Sequence, residues 1–402
     1  MKISSREELE AARAHTDGLF ALVEESTLYK RPIPDRHRLI FYLGHLDAFD
    51  WNQLARGALG EPSFEPELDR LFEAGIDPEP GKAPSDGAQD WPSFEHVTEY
   101  CRRTRAAIDQ LWDQVPSERQ CVALEHRWMH AETLAYLLHQ LDPSVKRRPS
   151  RAGIAIDLST PPIARAPWVD IPAGDTLLGQ QTGEFGWDNE FPRHTVPVPA
   201  FQLSRFKVTN GDYLRFVDAG GPAPFFWQRD LNGWWLREMF DLVPLPLDSP
   251  VYLTHDQASE YAAWSGARLP TESEWQRAAY LDGVHPYPWG SASPTAAHGN
   301  FDFLAWDPMA VTSHPDSETP QGVEQMLGNG WEWTATTFSP FDGFDARPYY
   351  PGYSANFFDG QHFVLKGASP RTARRLTRPS FRNWFRREYP YVYATARLVR
   401  DA

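Results

Sequence analysis

The hydrophobic pattern of this chain changes its period once, across residues 143–167, PSVKRRPSRAGIAIDLSTPPIARAP, a stretch with the composition of a linker. Apolar residues recur at a helical period before it and in short strand-like runs after it, and the two patterns cannot fill one core. The reading is therefore two domains, 1–142 and 168–402, joined by 143–167. At 402 residues the chain has room for both, since a domain takes ~100–200 residues. Cores of that size need no disulfide staples. Only Cys101 and Cys121 are present, which make neither a disulfide framework nor a four-thiolate zinc site. No apolar run approaches the ~20 residues of a membrane span, and the polar start MKISSREELEAARAHTDG lacks a signal-peptide core. A reducing cytoplasm is the expected location. The net charge of −15 disfavours a general nucleic-acid binder.

Four runs predict helices in the first domain. Ser5 opens 5–25, with Leu9, Ala12, Leu19, Leu22 and Val23 apolar. Pro34 precedes 35–59, Pro92 opens 93–115, and Ser117 is read as the cap of a fourth helix reaching Leu141. Four amphipathic helices of this length form a four-helix bundle, with the Pro-, Gly- and Asp-rich stretch 60–91 as a long crossover. In the second domain WVDIPAG, HTVPVPAFQLS, FVLKGAS and VYATARLVR read as strands, interrupted by helices at 210–218, 254–265 and 272–280. That order is an irregular α+β domain rather than a βαβ repeat.

Helix four carries EHRWMHAETLAYLL. His126 and His130, four residues apart, point the same way, along the stripe of Val122, Leu134, Leu137 and Leu138. Helix two carries LIFYLGHLDAFDW, with His45 on the stripe of Phe41, Tyr42, Ala48 and Phe49. Three histidines thus point inward from two helices, the way bundle cores build metal sites. Three neutral imidazoles suit zinc, iron, copper or nickel. Asp47 and Asp50 lie off the His45 stripe, so a three-His site is favoured over two His and a carboxylate. Three His on one face of an octahedron leave three positions open for substrates and O2. His15, His96 and His139 fall on polar or mixed faces and are expected in solvent.

The second domain carries FQLSRFKVTNGDYLRF, PVYLTHDQASEYAAWSGARLPTESEWQRAA, GNGWEWT, VLKGAS and FRNWFRREYPYVYATARLVR. Over about 168–400 these resemble the formylglycine-generating-enzyme (sulfatase-modifying-factor) fold, a C-type-lectin-like variant. Trp264, Trp275, Trp331 and Trp333 are expected as its core. This domain has no cysteine, whereas formylglycine-generating enzymes bind copper through a cysteine pair, so that activity is excluded. The bundle resembles a DinB domain. The fusion resembles the nonheme iron sulfoxide and selenoxide synthases: the ergothioneine sulfoxide synthases (EgtB), OvoA and the selenoneine synthase SenA.

The resemblance implies an Fe(II) cofactor on His45, His126 and His130. It implies a reaction that joins the imidazole carbon of hercynine to a sulfur or selenium nucleophile with O2. Arg382-Asn383-Trp384 matches the family's FRNW, so Asn383 and Trp384 are implied to hold the betaine, whose quaternary ammonium prefers aromatic faces. YYPGYSANFF matches the family's tyrosine segment, which makes Tyr350 the implied proton donor at the metal and Tyr353 a pocket residue. Two departures bear on the nucleophile. No Arg occurs between Arg70 and Arg102, where γ-glutamylcysteine enzymes carry one, and Phe385 and Tyr389 stand where they carry an Asp and an Arg. Met129 stands at their imidazole-contacting Gln. Aromatics suit a sugar, and because SenA uses a selenosugar the resemblance implies a selenosugar as the nucleophile, with γ-glutamylcysteine or cysteine as the alternative. Against this, 366–400 is rich in arginine with Glu388 its one acid; Arg386 or Arg387 would bind a carboxylate unless these arginines are solvated or pair with acids elsewhere. A lectin-like binding protein and an O2-independent DinB thiol transferase are the competing classes. Small molecules are the only partners expected, with neither nucleic acid nor membrane among them.

Overall fold

A computed structural model describes residues 5–73, 85–149, 167–281, 283 and 285–402. The chain divides into two compact units, Met1–Arg151 and Ala152–Ala402. Most of the expected linker, 150–166, and the centre of the expected crossover, 74–84, lie outside the described residues.

In the first unit the helices are α1 (Arg6–Phe20), α2 (Glu25–Leu28), α3 (Leu39–Asp50), α4 (Pro66–Leu71), α5 (Phe94–Leu111) and α6 (Ser117–His139). Four of them, α1, α3, α5 and α6, make the bundle: α3 packs on α5 and α6, and α1 on α6. Ser5 starts α1 through a capping box, its Oγ accepting from the Glu8 amide while the Glu8 carboxylate accepts from the Ser5 amide. Ser117 is not a cap; Pro116 holds that position and Ser117 is already helical. The second helix begins at Leu39 rather than 35, and Trp51–Leu59 continues it as a π-helix with wider turns. One bundle core gathers Leu9, Ala12, Trp51, Leu54, Ile108, Trp112 and Leu124. Every residue of α3 is buried, and α6 is buried on more than its apolar stripe. For that reason His139, expected in solvent, is buried, while His96 is exposed and bridges to Glu65.

The second unit holds β1 (Trp168–Ile171), β2 (Gly174–Leu178), β3 (His194–Val198), β4 (Phe201–Ser204), α7 (Asn210–Asp218), β5 (Trp227–Asp230), β6 (Gly233–Arg237), β7 (Leu242–Pro244), α8 (His255–Trp264), α9 (Glu272–Tyr280), β8 (Gly330–Thr337), β9 (His362–Ala368), β10 (Asn383–Arg386), β11 (Ala394–Thr395) and β12 (Val399–Asp401). The small sheets are β1-β4-β12, β2-β3 and β5-β6-β7; the central one is β10-β9-β8-β11. The sequence motifs meet in its core. On β8, Trp331 and Trp333 face one way and Glu332 the other, as strand alternation requires. Buried Glu332 accepts from Trp275 Nε1 at 2.7 Å and pairs with Lys207 and Arg397. Trp275, Trp331 and Trp333 are core as expected, but Trp264, the last residue of α8, is 49% exposed and packs one ring face on Phe216 and Tyr261.

Five arginines of 366–400 pair with acids elsewhere in this unit: Arg378 with Glu190, Arg382 with Glu272, Arg387 with Asp256, Arg397 with Glu332 and Arg374 with Asp302. Among the described residues no helix is long and apolar enough to cross a membrane.

A pH response follows from His255, which stacks on Phe363 at 3.8 Å and donates from Nε2 to the Thr334 carbonyl at 3.2 Å. Burial lowers its pKa from 6.5 to about 4. The folded state stays neutral while the unfolded chain takes up a proton below its ordinary pKa. Its contribution is complete above pH ~6.5 and falls as pH drops toward ~4, by at most about 3 kcal/mol. Urea unfolding across that window should give a shallower pH slope for His255→Gln than for the parent; equal slopes would remove His255 as the cause.

Candidate functional site

The bundle brings His45, His126 and His130 together, all buried, with one ring nitrogen of each within 4.8 Å of the others. The nitrogens that converge are the three Nε2 atoms: His45 to His130 at 3.2 Å and His130 to His126 at 3.1 Å. Imidazole nitrogens ~2.1 Å from a shared ion and at right angles about it lie ~3.0 Å apart, so the donor set fits a metal.

The rings are held by different means. His126 and His130 are one turn apart on α6, and the His126 ring lies flat on Phe49, centroids 3.4 Å apart. His45 stacks on Phe41 at 4.9 Å and its Nδ1 donates to the Phe72 carbonyl at 2.6 Å. That bond leaves the Nε2 lone pair free to face the other two rings.

Burial, first, lowers the pKa of all three: His45 to about 4, and His126 and His130 well below the usual value, with neighbouring imidazoles adding to it. Neutral imidazole is the form a metal takes. Asp47 and Asp50 are fully buried beside the site but face Arg127, 2.7 Å from each. Arg105 adds a second cation at Asp47. Burial opposes ionisation of Asp47, yet Arg127 and Arg105 hold its pKa below the usual range. Both carboxylates are thus engaged elsewhere, in keeping with their place off the His45 stripe. Met129, between the two α6 histidines, is half-buried.

In the second unit, Tyr350, Tyr353 and Trp384 share one aromatic cluster. Tyr353 lies 5.6 Å from Tyr350 and edge-on to Trp384 at 5.4 Å, and stacks on Trp187 at 4.0 Å. Trp384 in turn stacks on Phe338 at 4.3 Å. Removal from water, then the Asp188 carboxylate, pushes the Tyr350 phenol up to about 12. Asn383 Oδ1 accepts from the Trp384 amide at 2.9 Å. The strand is fixed by Arg382, buried and paired with Glu272 of α9 at 2.9 Å.

Phe385 and Tyr389 form a second pair, stacked at 5.3 Å and continued by Tyr391. Trp384 and Phe385 are neighbours on β10 and so point to opposite faces. The predicted substrate residues therefore divide into two groups rather than one wall.

Sequence reasoning missed the Phe72 carbonyl, Trp187 and Asp188. A backbone oxygen has no sequence signature. Trp187-Asp188 sits in a turn whose register against Tyr353-Ser354 appears only in three dimensions, where Ser354 Oγ donates to Asp188 at 2.5 Å.

Residues 160–402 match the family described as the sulfatase-modifying factor enzyme 1-like domain, and 8–140 match the DinB superfamily. The hercynine oxygenase of Mycolicibacterium smegmatis is 32% identical over 435 residues, covering 98% of each chain. That of Mycolicibacterium thermoresistibile is 32% identical over 426 residues, covering 94% of this chain and 90% of the relative. Ergothioneine biosynthesis protein 1 of Neurospora crassa is 28% identical over 490 residues, covering 94% of this chain and 56% of the longer relative.

Proposed function

The chain belongs to the family that joins a DinB bundle to a sulfatase-modifying-factor-like domain and includes the hercynine oxygenases, and on that premise we propose that it is an Fe(II)- and O2-dependent selenoneine synthase. Membership makes it an oxygen-dependent oxidoreductase. In the proposed reaction the imidazole C–H of hercynine and the Se–H of a selenosugar are lost and a C–Se bond forms. The selenium is oxidised to the selenoxide and the second oxygen atom leaves as water. O2 takes four electrons, two from bond formation and two from selenium.

The observation that carries the metal-dependent part of the proposal is the convergence of three imidazoles, His130 Nε2 lying 3.2 Å from that of His45 and 3.1 Å from that of His126, for which a lectin-like binding protein has no use. His45, His126 and His130 would hold the iron, which supplies one-electron chemistry with O2. The second unit is assigned substrate recognition. Trp384 and Tyr353 offer ring faces to the trimethylammonium, which has no N–H to donate; Asn383, which strand alternation puts on the face of Phe385, is assigned to the betaine as well. Tyr350 is assigned proton donation. A tyrosine phenol is protonated at neutral pH, so it has a proton to give. Phe385 and Tyr389 are assigned to the sugar, and Met129 to the space beside the imidazole. Cys101 and Cys121, both buried and not disulfide-bonded, accord with a cytoplasmic enzyme.

The test is anaerobic Fe(II) loading followed by O2 uptake with hercynine plus either a selenosugar or γ-glutamylcysteine. No O2 uptake with any pair would point to the thiol transferase or binding classes. Tyr350→Phe should lower kcat roughly 10²-fold with little change in KM for hercynine. An unchanged kcat would take the proton-donor role away from Tyr350.

A further inference from the structure

Gly44 lies in the middle of α3, where glycine costs roughly 1 kcal/mol relative to alanine. Its neighbour explains it. A Cβ on Gly44 would stand 2.5 Å from the ring of Phe72. That ring is fully buried among Phe41, Trp91 and Tyr100, with centroids 6.1–6.4 Å away, so it cannot swing clear. The carbonyl of the same Phe72 accepts the His45 Nδ1 proton at 2.6 Å.

Phe72 follows directly on α4, and α4 is tied down by buried Asp69. Tyr100 Oη donates to one Asp69 oxygen at 2.8 Å and Ser63 Oγ to the other at 2.5 Å, while Asn52 Nδ2 donates to its carbonyl at 3.1 Å. His126 Nδ1 and His130 Nδ1 find no hydrogen-bond partner among the described residues. Of the three imidazoles, His45 is thus the one whose outer nitrogen is held by the protein.

We infer that Gly44, Phe72 and the Asp69 anchor form a positioning device for the metal: the notch at Gly44 seats the Phe72 ring, the seated ring places its carbonyl, and the carbonyl fixes the tautomer and orientation of His45. The inference rests on reading the triad as a metal site. Gly44 and Phe72 are positioning residues, because neither supplies a side chain to the metal. Partners of this kind around a ligating histidine are worth ~10–100-fold in affinity.

The test titrates metal-free chains with Co(II), reading affinity and the visible absorption of the bound ion, with circular dichroism to follow the fold. Gly44→Ala should weaken Co(II) binding ~10-fold or more and change the absorption bands at unchanged helicity. Gly44→Ala with Phe72→Leu shortens the side chain that the new methyl strikes, and should recover most of the affinity. Tyr100→Phe, which loosens the anchor without touching Gly44, should weaken binding several-fold and covers the case in which Gly44→Ala does not fold. Parent-like affinity in folded Gly44→Ala or Tyr100→Phe would overturn the inference. So would a folded double variant that shows no recovery. If the parent chain takes up no Co(II), the triad itself is not a metal site, and the inference falls with that reading.

Discussion

Replacing His45, His126 or His130 by Ala should abolish stoichiometric Fe(II) binding and all O2-dependent turnover, with the bundle still folded. Each ring supplies one of three converging nitrogens, that of His130 lying 3.1–3.2 Å from the other two. Asp47 and Asp50, the nearest carboxylates in sequence to His45, are engaged with Arg127 and unable to substitute. A site reduced to two imidazoles should lose at least ~10³ in affinity, about 4 kcal/mol. Neutral rings are lost rather than paired charges, so no buried ion is stranded; the cost to stability is that of a cavity, ~2–4 kcal/mol. Anaerobic Fe(II) titration beside circular dichroism separates the two effects. A folded alanine variant that still binds one equivalent of iron would remove that histidine from the site.

The choice of nucleophile is the second large effect. γ-Glutamylcysteine brings two carboxylates, and an unpaired carboxylate out of water costs several kcal/mol. At the positions of the charged pair in γ-glutamylcysteine enzymes this chain presents Phe385 and Tyr389, rings stacked at 5.3 Å. Arg387, one of the two arginines able to compensate, is paired with Asp256 at 2.6 Å. A neutral sugar carries no such penalty; its C–H faces stack on rings and its hydroxyls bond to phenol and backbone. A selenol is more acidic than a thiol and so is already ionised near neutral pH. With hercynine, kcat/KM for the selenosugar should exceed that for γ-glutamylcysteine by ~10³ or more, with the thiosugar between them. Comparable turnover of γ-glutamylcysteine would return the chain to the ergothioneine branch. A collapse of that turnover in Arg386→Ala would then identify the compensating cation.

The local patterns that the sequence carries are those in which a side chain's direction follows from chain periodicity. The step of four residues between His126 and His130 puts both on one line of a helix whatever surrounds it, and the apolar stripe says which way that line faces. The helices Asn210–Asp218 and Glu272–Tyr280 were legible in the same way, and Ser5 as the start of the first helix from its residue type; that Trp275, Trp331 and Trp333 are core followed from the family resemblance. Periodicity is silent once an element is covered on more than one side. His139 is buried because α6 packs on α1 and α3 together, so its mixed face is interior too. Trp264 is half in solvent because α8 ends there.

Contacts between distant segments are where sequence reading stops. That Arg127 claims Asp47 and Asp50, that Glu332 joins Trp275 to Lys207 and Arg397, and that Phe72 turns its carbonyl to His45 across 27 positions all depend on where separate elements come to rest. The sequence by itself determined that His45, His126 and His130 face inward. Only the tertiary structure decided which nitrogen His45 presents, because that depends on a backbone oxygen seated by a missing Cβ at Gly44, and neither an oxygen common to every residue nor an absent methyl leaves a pattern along the chain.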